Sequence, residues 1–148
     1  MPIKFYRPTD DYGCFSNFSR HPVKLDDKIW KTSEHYFQAQ KFIHSSKDMN
    51  DVFKANSPSI AARIGRDRKR PLRKDWESVK DDVMHRVVKA KVLQHKEIKE
   101  LLLSTGNEEI IEHTKNDRYW GDGGDGRGKN MLGKTLMRVR EELKKSEQ

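Results

Sequence analysis

From Asp75 onward, apolar residues recur every three or four positions, and this spacing constrains the fold more than any other feature. Because an α-helix makes one turn in about 3.6 residues, side chains at that spacing lie on one helical face. One such face would carry Trp76, Val79, Val83, Val87 and Ala90. Another, near the C-terminus, would carry Met131, Leu132, Leu136, Val139 and Leu143. The sequence therefore predicts a core built between one-sided helices, with Asp75 capping the longest of them.

The composition leaves little apolar material for that core. Hydrophobic residues make up 33% of the 148 residues and charged residues 36%, and the mean hydropathy is -1.03. Three Trp, four Tyr and six Phe nevertheless supply large anchors, which disordered chains usually lack. We expect one folded domain over residues 1–148, with a lean core and a heavily charged surface.

Capping residues locate three shorter helices, because Ser, Thr and Pro favour the first turn and Gly favours the position after the last. The predicted segments run from Thr32 or Ser33 to Phe42, from Ser57 to Gly65, and from Ile98 to Leu103. The predicted strands are Ile3–Tyr6 and a hairpin of Val23–Leu25 and Lys28–Trp30 around Asp26-Asp27. The fold class is therefore mainly α with a few short β-strands, that is, α+β.

Several classes of site and location are excluded by simple counts. The single cysteine, Cys14, allows neither an internal disulfide nor a cysteine-built zinc site. The six histidines include no pair at metal-ligand spacing on one helix, so we expect no metal. Because no apolar run is long enough for a signal peptide or a membrane span, we expect a cytoplasmic protein.

The chain is strongly basic, with a net charge of +8 and an isoelectric point of about 9.6. One interpretation is that the lysines lie mostly on solvated helix faces. The other is a positive field that attracts phosphate, on a nucleic acid or on a small phosphorylated metabolite. Charge alone does not separate these two interpretations.

A glycine-rich segment, Gly121 to Gly128, precedes the C-terminal helix. Its letters satisfy two nucleotide-binding patterns, GxGxxG and GxxxxGK. We reject the first because no buried strand precedes it, and the second because Asn130 stands where a phosphate loop has Ser or Thr. Two interpretations remain. The segment is either a phosphate cradle of exposed N–H groups beside Arg127 and Lys129, or a flexible turn that caps the next helix.

Three polar residues of the first predicted helix share one face. At about 100° per residue, Glu34, Gln38 and Lys41 lie within about 60° of one another. A carboxylate, an amide and an ammonium in one stripe could line a polar pocket. The alternative is that Glu34 interacts with the positive end of the helix dipole while Lys41 is solvated near the other end.

A basic stretch connects the second and third predicted helical segments. From Arg63 to Trp76, seven of fourteen residues are Arg or Lys. Arginine binds phosphate in a bidentate manner, so the stretch could hold a ribose phosphate or a nucleic-acid backbone. Trp76 could then stack on a base, or it could simply begin the apolar face of the long helix.

Three ordered motifs resemble those of the YbiA-like (NADAR) family. The first combines Phe15–Phe18 with Trp30–Phe42, the second Gly65-Arg66 with Leu72–Glu77, and the third Tyr119–Gly123 with Gly128–Gly133. The resemblance extends from about Phe5 to Leu143. It implies a compact, mainly helical fold and hydrolysis of an N-glycosidic bond, and it places catalytic roles on Glu34, Trp76 and Asp122.

The family resemblance also implies a substrate class. Bacterial members similar to this chain act on riboflavin-pathway intermediates, which are aminopyrimidines that carry ribose 5-phosphate. Related members remove ADP-ribose from modified guanine in DNA or RNA. We consider both functions, and as a third a non-catalytic nucleic-acid-binding module. The partner is then a small phosphorylated ribosyl substrate or an ADP-ribosylated nucleic acid, and not a membrane.

Cleavage of a ribosyl–nitrogen bond develops positive charge on the sugar, which nearby carboxylates stabilise. We hypothesise that Glu34 and Asp122 supply these carboxylates, with the choice of base left open. Trp76 would stack on the departing base. Lys41 would hold the substrate or form a Schiff base with the opened sugar. Neither a metal nor an organic cofactor is required.

The remaining site residues are hypotheses of the same kind. Arg66, Arg73 and Lys129 would contact the phosphate. Asn17, Trp120, Gly121 and Asn130 would form the walls of the pocket.

Overall fold

The structure, a computed structural model, describes residues 1–146, which contain six α-helices and four short β-strands. The strands are β1 (Ile3–Phe5), β2 (Val23–Leu25), β3 (Lys28–Trp30) and β4 (Ile110–Glu112). The helices are α1 (Ser33–Ala39), α2 (Ser46–Lys54), α3 (Pro58–Gly65), α4 (Trp76–Gln94), α5 (Lys96–Ser104) and α6 (Met131–Ser146). Single 3₁₀ turns occur at Gly13–Phe15 and Gln40–Phe42. This composition confirms the predicted mainly helical α+β class.

Residue contacts divide the chain into two compact units. We call Asn17–Lys91 the internal unit, and residues 1–16 together with the chain from Val92 onward the terminal unit. The internal unit contains β2, β3, α1 to α3 and most of α4. The terminal unit contains β1, β4, α5 and α6. The single domain over residues 1–148 stays a prediction.

The internal unit is organised around α1. Every residue of this helix is buried, because β3, α2 and α3 all pack against it. The hairpin of β2 and β3 is antiparallel, as predicted, and pairs Val23 with Trp30. Its turn residues, Asp26 and Asp27, both have positive φ, which a two-residue turn of this kind requires.

The buried face of α4 differs from the predicted one. Trp76 and Val87 are buried as predicted, but three other members of the predicted face are only partly buried: Val79, Val83 and Ala90. Met84, Val88 and Val92 are buried in their place. The helical period was therefore right, but its phase was wrong, because the face that contains the larger Met84 side chain offers more apolar area to bury.

The terminal unit contains a parallel pair of strands covered by α6. Strands β1 and β4 align Ile3 with Ile110. Helix α6 packs against β4 and α5 through four buried residues of its predicted face, Leu132, Leu136, Val139 and Leu143. Gly133 permits this approach, since a Cβ there would collide with the carbonyl oxygen of Ile110.

Two elements were not predicted. Helix α2 places Met49, Val52 and Phe53 on one face, but three residues in a nine-residue helix are a short pattern, and only Asp48 and Val52 are fully buried. Strand β4 has only three residues, too few for a recognisable alternation. Within residues 1–146, no helix combines the length and the apolarity needed to cross a bilayer.

Candidate active site

The polar face of α1 lies inside the internal unit. Thr32 caps the helix by accepting a hydrogen bond from the His35 backbone N–H at 3.2 Å. Glu34 is 8% exposed and Gln38 is 6% exposed. The stripe therefore faces the interior of this unit, because the neighbouring helices bury all of α1. The alternative placed Lys41 in solvent, but that side chain is only partly exposed.

Glu34 and Gln38 are joined by a short hydrogen bond. The Gln38 Nε2 group donates to Glu34 Oε2 at 2.6 Å, and the four-residue spacing places the two side chains on the same face, as predicted. The other amide atom, Gln38 Oε1, is buried and has no hydrogen-bond partner within the described part of the chain. It lies against Gly65, where a Cβ would collide with it. The absence of a side chain at Gly65 therefore allows Gln38 to reach Glu34.

Lys41 follows on the same side of this segment. Its ammonium donates to the Gly65 carbonyl at 3.2 Å and lies 5.7 Å from the centre of the Trp76 ring. Burial lowers the pKa of Lys41 below the ordinary lysine value, although the Glu34 carboxylate acts in the opposite direction. A larger share of neutral amine is what a nucleophilic lysine requires.

Trp76, at the start of α4, lies next to Lys41. Its side chain is 6% exposed and makes an edge-on contact with Phe37, with ring centres 5.1 Å apart. The ring therefore has the packing role that the sequence offered as an alternative. It also forms a cation–π contact with Lys41. Stacking of Trp76 on a substrate base stays a prediction.

Asn17 fixes the start of α1. Its side-chain Oδ1 accepts from the Ser33 hydroxyl at 2.9 Å, and its carbonyl accepts from the Glu34 backbone N–H at 3.1 Å. Its Nδ2 group donates to the Met84 sulfur at 3.3 Å. The predicted pocket-wall residue therefore positions the backbone of Glu34.

Two arginines of the basic stretch already pair with carboxylates of the chain. Arg73 forms a bidentate pair with Asp75, at 2.6 and 2.9 Å, so the Asp75 carboxylate binds this arginine at the start of α4. Arg70 binds Asp48 and Asp51 of α2. By contrast, Arg66 is exposed and makes no side-chain hydrogen bond among residues 1–146. Of the predicted phosphate contacts in this unit, Arg66 is the more available.

An open groove runs along these arginines. It has a volume of about 490 Å³ and is lined by Arg63, Ile64, Arg66, Asp67 and Arg70. Arg70 is already paired with Asp48, Asp51 and Asp67. Arg63 and Arg66 are therefore the guanidinium groups that favour an anion in this groove.

In the terminal unit, the glycine-rich segment is fastened to the outer edge of β4. The Asn130 side chain donates to the Ile110 carbonyl at 2.8 Å and accepts from the Glu112 N–H at 3.0 Å. Next along the edge, the Asp122 backbone N–H donates to the Glu112 carbonyl, and Asp122 Oδ1 accepts from the Thr114 N–H. The segment is therefore not the flexible turn that one interpretation predicted.

The phosphate-cradle interpretation also fails for most of the segment's N–H groups. The Asp122 N–H donates to the Glu112 carbonyl, and the Arg127 N–H donates to the Asp125 carboxylate. The Gly123, Gly124 and Gly128 N–H groups bind Asp117 and Asp122. These groups are satisfied within the chain, so they are not exposed to a ligand.

The other predicted residues of this unit occupy different surroundings. Gly121 is buried. Trp120 is partly buried and packs edge-on against Tyr119 at 4.9 Å. Lys129 is exposed, and its ammonium lies 5.5 Å from the Tyr119 ring centre. Their contacts with substrate stay predictions.

The Asp122 carboxylate of the terminal unit is 5% exposed and accepts three hydrogen bonds. Its Oδ2 binds His113 Nδ1 at 2.7 Å, and its Oδ1 accepts from the Thr114 and Gly124 N–H groups. Burial acts to raise its pKa, but the bonds from His113 and the two N–H groups outweigh burial and lower it. The sequence did not single out His113. The only signal was a histidine shortly after an apolar pair, Ile110-Ile111.

His113 lines a cleft within the same unit. The cleft has a volume of about 630 Å³, and its wall also includes Tyr6, Arg7, Lys115 and Asn116. Two cations and several hydrogen-bonding groups suit a polar, anionic ligand.

Comparison with known proteins supports the family assignment. The family model described as "NADAR domain" matches residues 4–144. The chain belongs to the NADAR domain family. This match confirms the resemblance inferred from the three motifs.

Similar proteins carry enzyme names. The chain is 56% identical over 141 residues to "N-glycosidase YbiA" of Escherichia coli K12, covering 95% of this chain and 88% of that protein. It is 41% identical over 143 residues to "Riboflavin biosynthesis protein VVA0006" of Vibrio vulnificus, covering 97% of this chain but 39% of that protein. The NMR structure of Escherichia coli YbiA superposes with a TM-score of 0.91 at 53% identity, covering 99% of this chain and 89% of that one. The predicted enzyme class, N-glycosidase, is confirmed by these relationships.

Proposed function

We propose that this N-glycosidase hydrolyses the bond between an aminopyrimidine base and ribose 5-phosphate in intermediates of riboflavin biosynthesis. The name of the Vibrio vulnificus relative supports this substrate, because the part of that protein matched by this chain belongs to a riboflavin biosynthesis protein. The basic charge of +8 suits a phosphorylated substrate.

One observation carries the assignment of residues. A buried carboxylate, Glu34, is held by Gln38 at 2.6 Å in the same group as a half-buried amine, Lys41, and the Trp76 ring. An amine with a shifted pKa, here Lys41, beside an oriented carboxylate is typical of catalytic sites. Within the internal unit, this group is therefore the candidate for the chemistry.

The reaction develops positive charge on C1′ and O4′ of the ribose as the base departs. In our proposal, Glu34 stabilises that charge and orients the attacking water. The low-dielectric surroundings of a buried carboxylate strengthen this interaction relative to water. Asp122 remains a second carboxylate of the proposal, whose own contacts are with His113 and the glycine-rich segment.

A covalent route through Lys41 is the alternative to direct attack by water. The neutral amine would attack C1′ as the C1′–N bond breaks, and the departing nitrogen would take the proton that the alkylated amine loses. The opened sugar would then form an imine with Lys41, and water would hydrolyse it to ribose 5-phosphate and the free amine. Borohydride would trap this imine on the wild-type protein, and Lys41→Ala would abolish the trapping. A wild-type protein that turns over without any trapped adduct would remove the covalent route.

The test of the core proposal is Glu34→Gln, which removes the charge with little change in volume. Release of ribose 5-phosphate from a ribosylaminopyrimidine phosphate should fall by about 10²–10³-fold, the usual effect of losing one electrostatic stabiliser. Glu100→Gln, at an exposed carboxylate of α5, is the control and should retain full activity. Near-wild-type turnover by Glu34→Gln would show that Glu34 does not have this role.

A second substrate class is favoured by the arginine-lined groove. The Arg63 and Arg66 guanidinium groups and the net charge of +8 also suit a nucleic-acid backbone. The same enzyme would then remove ADP-ribose from modified guanine in DNA or RNA. One chromatographic assay that offers both substrates separates the two functions by which free base or sugar is released. Preference for the nucleic acid, with activity that falls steeply with salt, would favour the second.

A further inference from the structure

The groove at the end of α3 contains two arginines that the chain leaves unpaired. Arg63 and Arg66 line this groove, and both side chains are exposed. Within residues 1–146, neither guanidinium group forms a hydrogen bond or an ion pair. Arg70, the third arginine of the wall, differs because three carboxylates bind it. Two guanidinium groups of the wall are therefore available to an anion.

The acidic residue of the wall, Asp67, is already engaged. Its Oδ2 lies 3.4 Å from Arg70 Nε, and its Oδ1 accepts from the Lys69 N–H at 3.0 Å. The Asp67 carboxylate is therefore directed at Arg70 and does not neutralise the other two arginines of the groove.

The end of α3 does not need these side chains as caps. The last carbonyl groups of a helix have no partner within the helix, and basic side chains near the C-terminus often bind them. Here the N–H groups of residues 66 and 67 donate to the carbonyls of residues 62–64. The Lys41 ammonium donates to the Gly65 carbonyl. Because these carbonyls are satisfied, capping does not explain the two free guanidinium groups.

The groove adjoins the Glu34 group within the internal unit. Gly65, which lies between the two arginines in the chain, accepts from Lys41 Nζ and contacts the Gln38 amide that binds Glu34. Burial is the largest influence on the pKa of Lys41 and lowers it, Glu34 raises it, and the positive charge of Arg66 lowers it further. An electrostatic effect of Arg66 on Lys41 is expected only if the two groups are near each other.

Resting on the proposed N-glycosidase reaction, we infer that Arg63 and Arg66 bind the 5′-phosphate of the ribosyl substrate and select phosphorylated over unphosphorylated ribosides. A phosphomonoester carries a charge of about −1.5 to −2 at pH 7, which two guanidinium groups match. Its terminal oxygens accept paired N–H groups of arginine in a bidentate manner. A nucleic-acid phosphodiester carries a single charge and matches the pair less well.

This assignment also orients the substrate. The phosphate is attached to C5′ of the ribose, and the bond that breaks is on C1′, across the ring. With the phosphate in the groove, the sugar extends past Gly65 toward Glu34 and Lys41. Binding energy from a part of the substrate that does not react would then hold C1′ in place for the reaction.

The kinetic test compares substrates with and without the phosphate. Arg63→Gln and Arg66→Gln each remove one guanidinium group of the groove. Arg68→Gln is the control, because it removes the same charge from an exposed arginine that does not line the groove. With the ribosylaminopyrimidine 5′-phosphate, kcat/KM should fall by about 10- to 100-fold in the two groove variants, the usual effect of losing hydrogen bonds to a charged group.

The unphosphorylated riboside shows whether the loss acts through the phosphate. With this substrate, kcat/KM of the groove variants should change by less than about 2-fold, because the missing guanidinium has no phosphate to bind. Arg68→Gln should match the wild-type protein on both substrates. Equal losses on the two substrates in Arg66→Gln, or a loss of the same size in Arg68→Gln, would overturn the inference.

Binding of ribose 5-phosphate separates this inference from the proposed substrate. In NMR titrations of the wild-type protein, the Gly65 and Arg66 backbone signals should shift with ribose 5-phosphate but not with ribose. Calorimetry should show binding about 10-fold weaker in Arg66→Gln and unchanged in Arg68→Gln. If this binding is observed but the wild-type protein releases no base from the aminopyrimidine substrate, the proposed substrate fails while the phosphate site stands.

Two results would overturn the phosphate site in an active enzyme. One is an affinity for ribose 5-phosphate that neither groove variant changes. The other is a loss in the groove variants that is confined to binding of a single-stranded oligonucleotide, which would assign the groove to a nucleic-acid backbone instead.

Discussion

Gly65→Ala tests whether the space at α3 orients the buried carboxylate. A Cβ at residue 65 would collide with Gln38 Oε1, so the amide would have to move. The movement would break the 2.6 Å bond from Gln38 to Glu34. A hydrogen bond to a charged group contributes about 1.5–3 kcal/mol. If the transition state depends on Glu34 in its present orientation, kcat/KM should fall by about 10- to 100-fold.

A double-mutant cycle shows whether the loss arises from this collision. Gln38→Ala removes the amide and leaves the Gln38 Cβ, which is 3.1 Å from the point where a Cβ of residue 65 would lie. In that background, Gly65→Ala should have little further effect, so the two changes should be strongly non-additive. Steady-state kinetics and thermal unfolding of the four proteins provide the measurement. Equal effects of Gly65→Ala in both backgrounds would refute the reasoning.

Two further predictions concern stability. Asn130 has φ of 53°, and its side chain forms two bonds with β4, so both Asn130→Ala and Asn130→Gly should lower the free energy of unfolding. The free energy of unfolding should be about 1 kcal/mol lower for Asn130→Ala than for Asn130→Gly, because glycine accepts this φ without strain and alanine does not. Equal losses of the two variants in urea unfolding would contradict this. For Lys41, burial lowers the pKa in the folded state below the value in the unfolded chain, which is about 10.4. Between these two pKa values, the unfolded chain holds a proton that the folded protein has lost. Across that interval, stability relative to Lys41→Met should rise with pH, and a flat difference would exclude a lowered pKa.

The local features of α1 could be predicted from the sequence. The cap at Thr32 and the shared face of Glu34 and Gln38 follow from helix geometry alone, and the structure confirms both. Their burial could not be predicted. The segment is polar, and it is covered only because α2 and α3, which follow later in the chain, pack against it. Burial of this kind depends on tertiary contacts and leaves no periodic signal.

For the glycine-rich segment, the local pattern was visible in the sequence, but the hydrogen-bond partners could not be predicted. Its glycines predicted exposed N–H groups, but most of these groups bind carbonyls or the Asp122 carboxylate. The segment's partners include Glu112 and Thr114, which belong to or follow an unpredicted strand. Without β4, the sequence offered no partner for these groups. Because β4 was not predicted, the sequence did not single out His113 either, since the significance of this residue depends on its bond to Asp122.

The attachment of Asn130 and Asp122 to β4 has a consequence for how the protein behaves among its own copies. A strand of a two-stranded sheet normally presents a row of unpaired N–H and C=O groups, which can template association with another chain. Here β1 pairs with one side of β4, while Asn130 and Asp122 bind four successive groups on the other: the Ile110 and Glu112 carbonyls and the Glu112 and Thr114 N–H groups. The segment therefore protects this strand from edge-to-edge aggregation, a role that would persist in a protein without any catalytic activity.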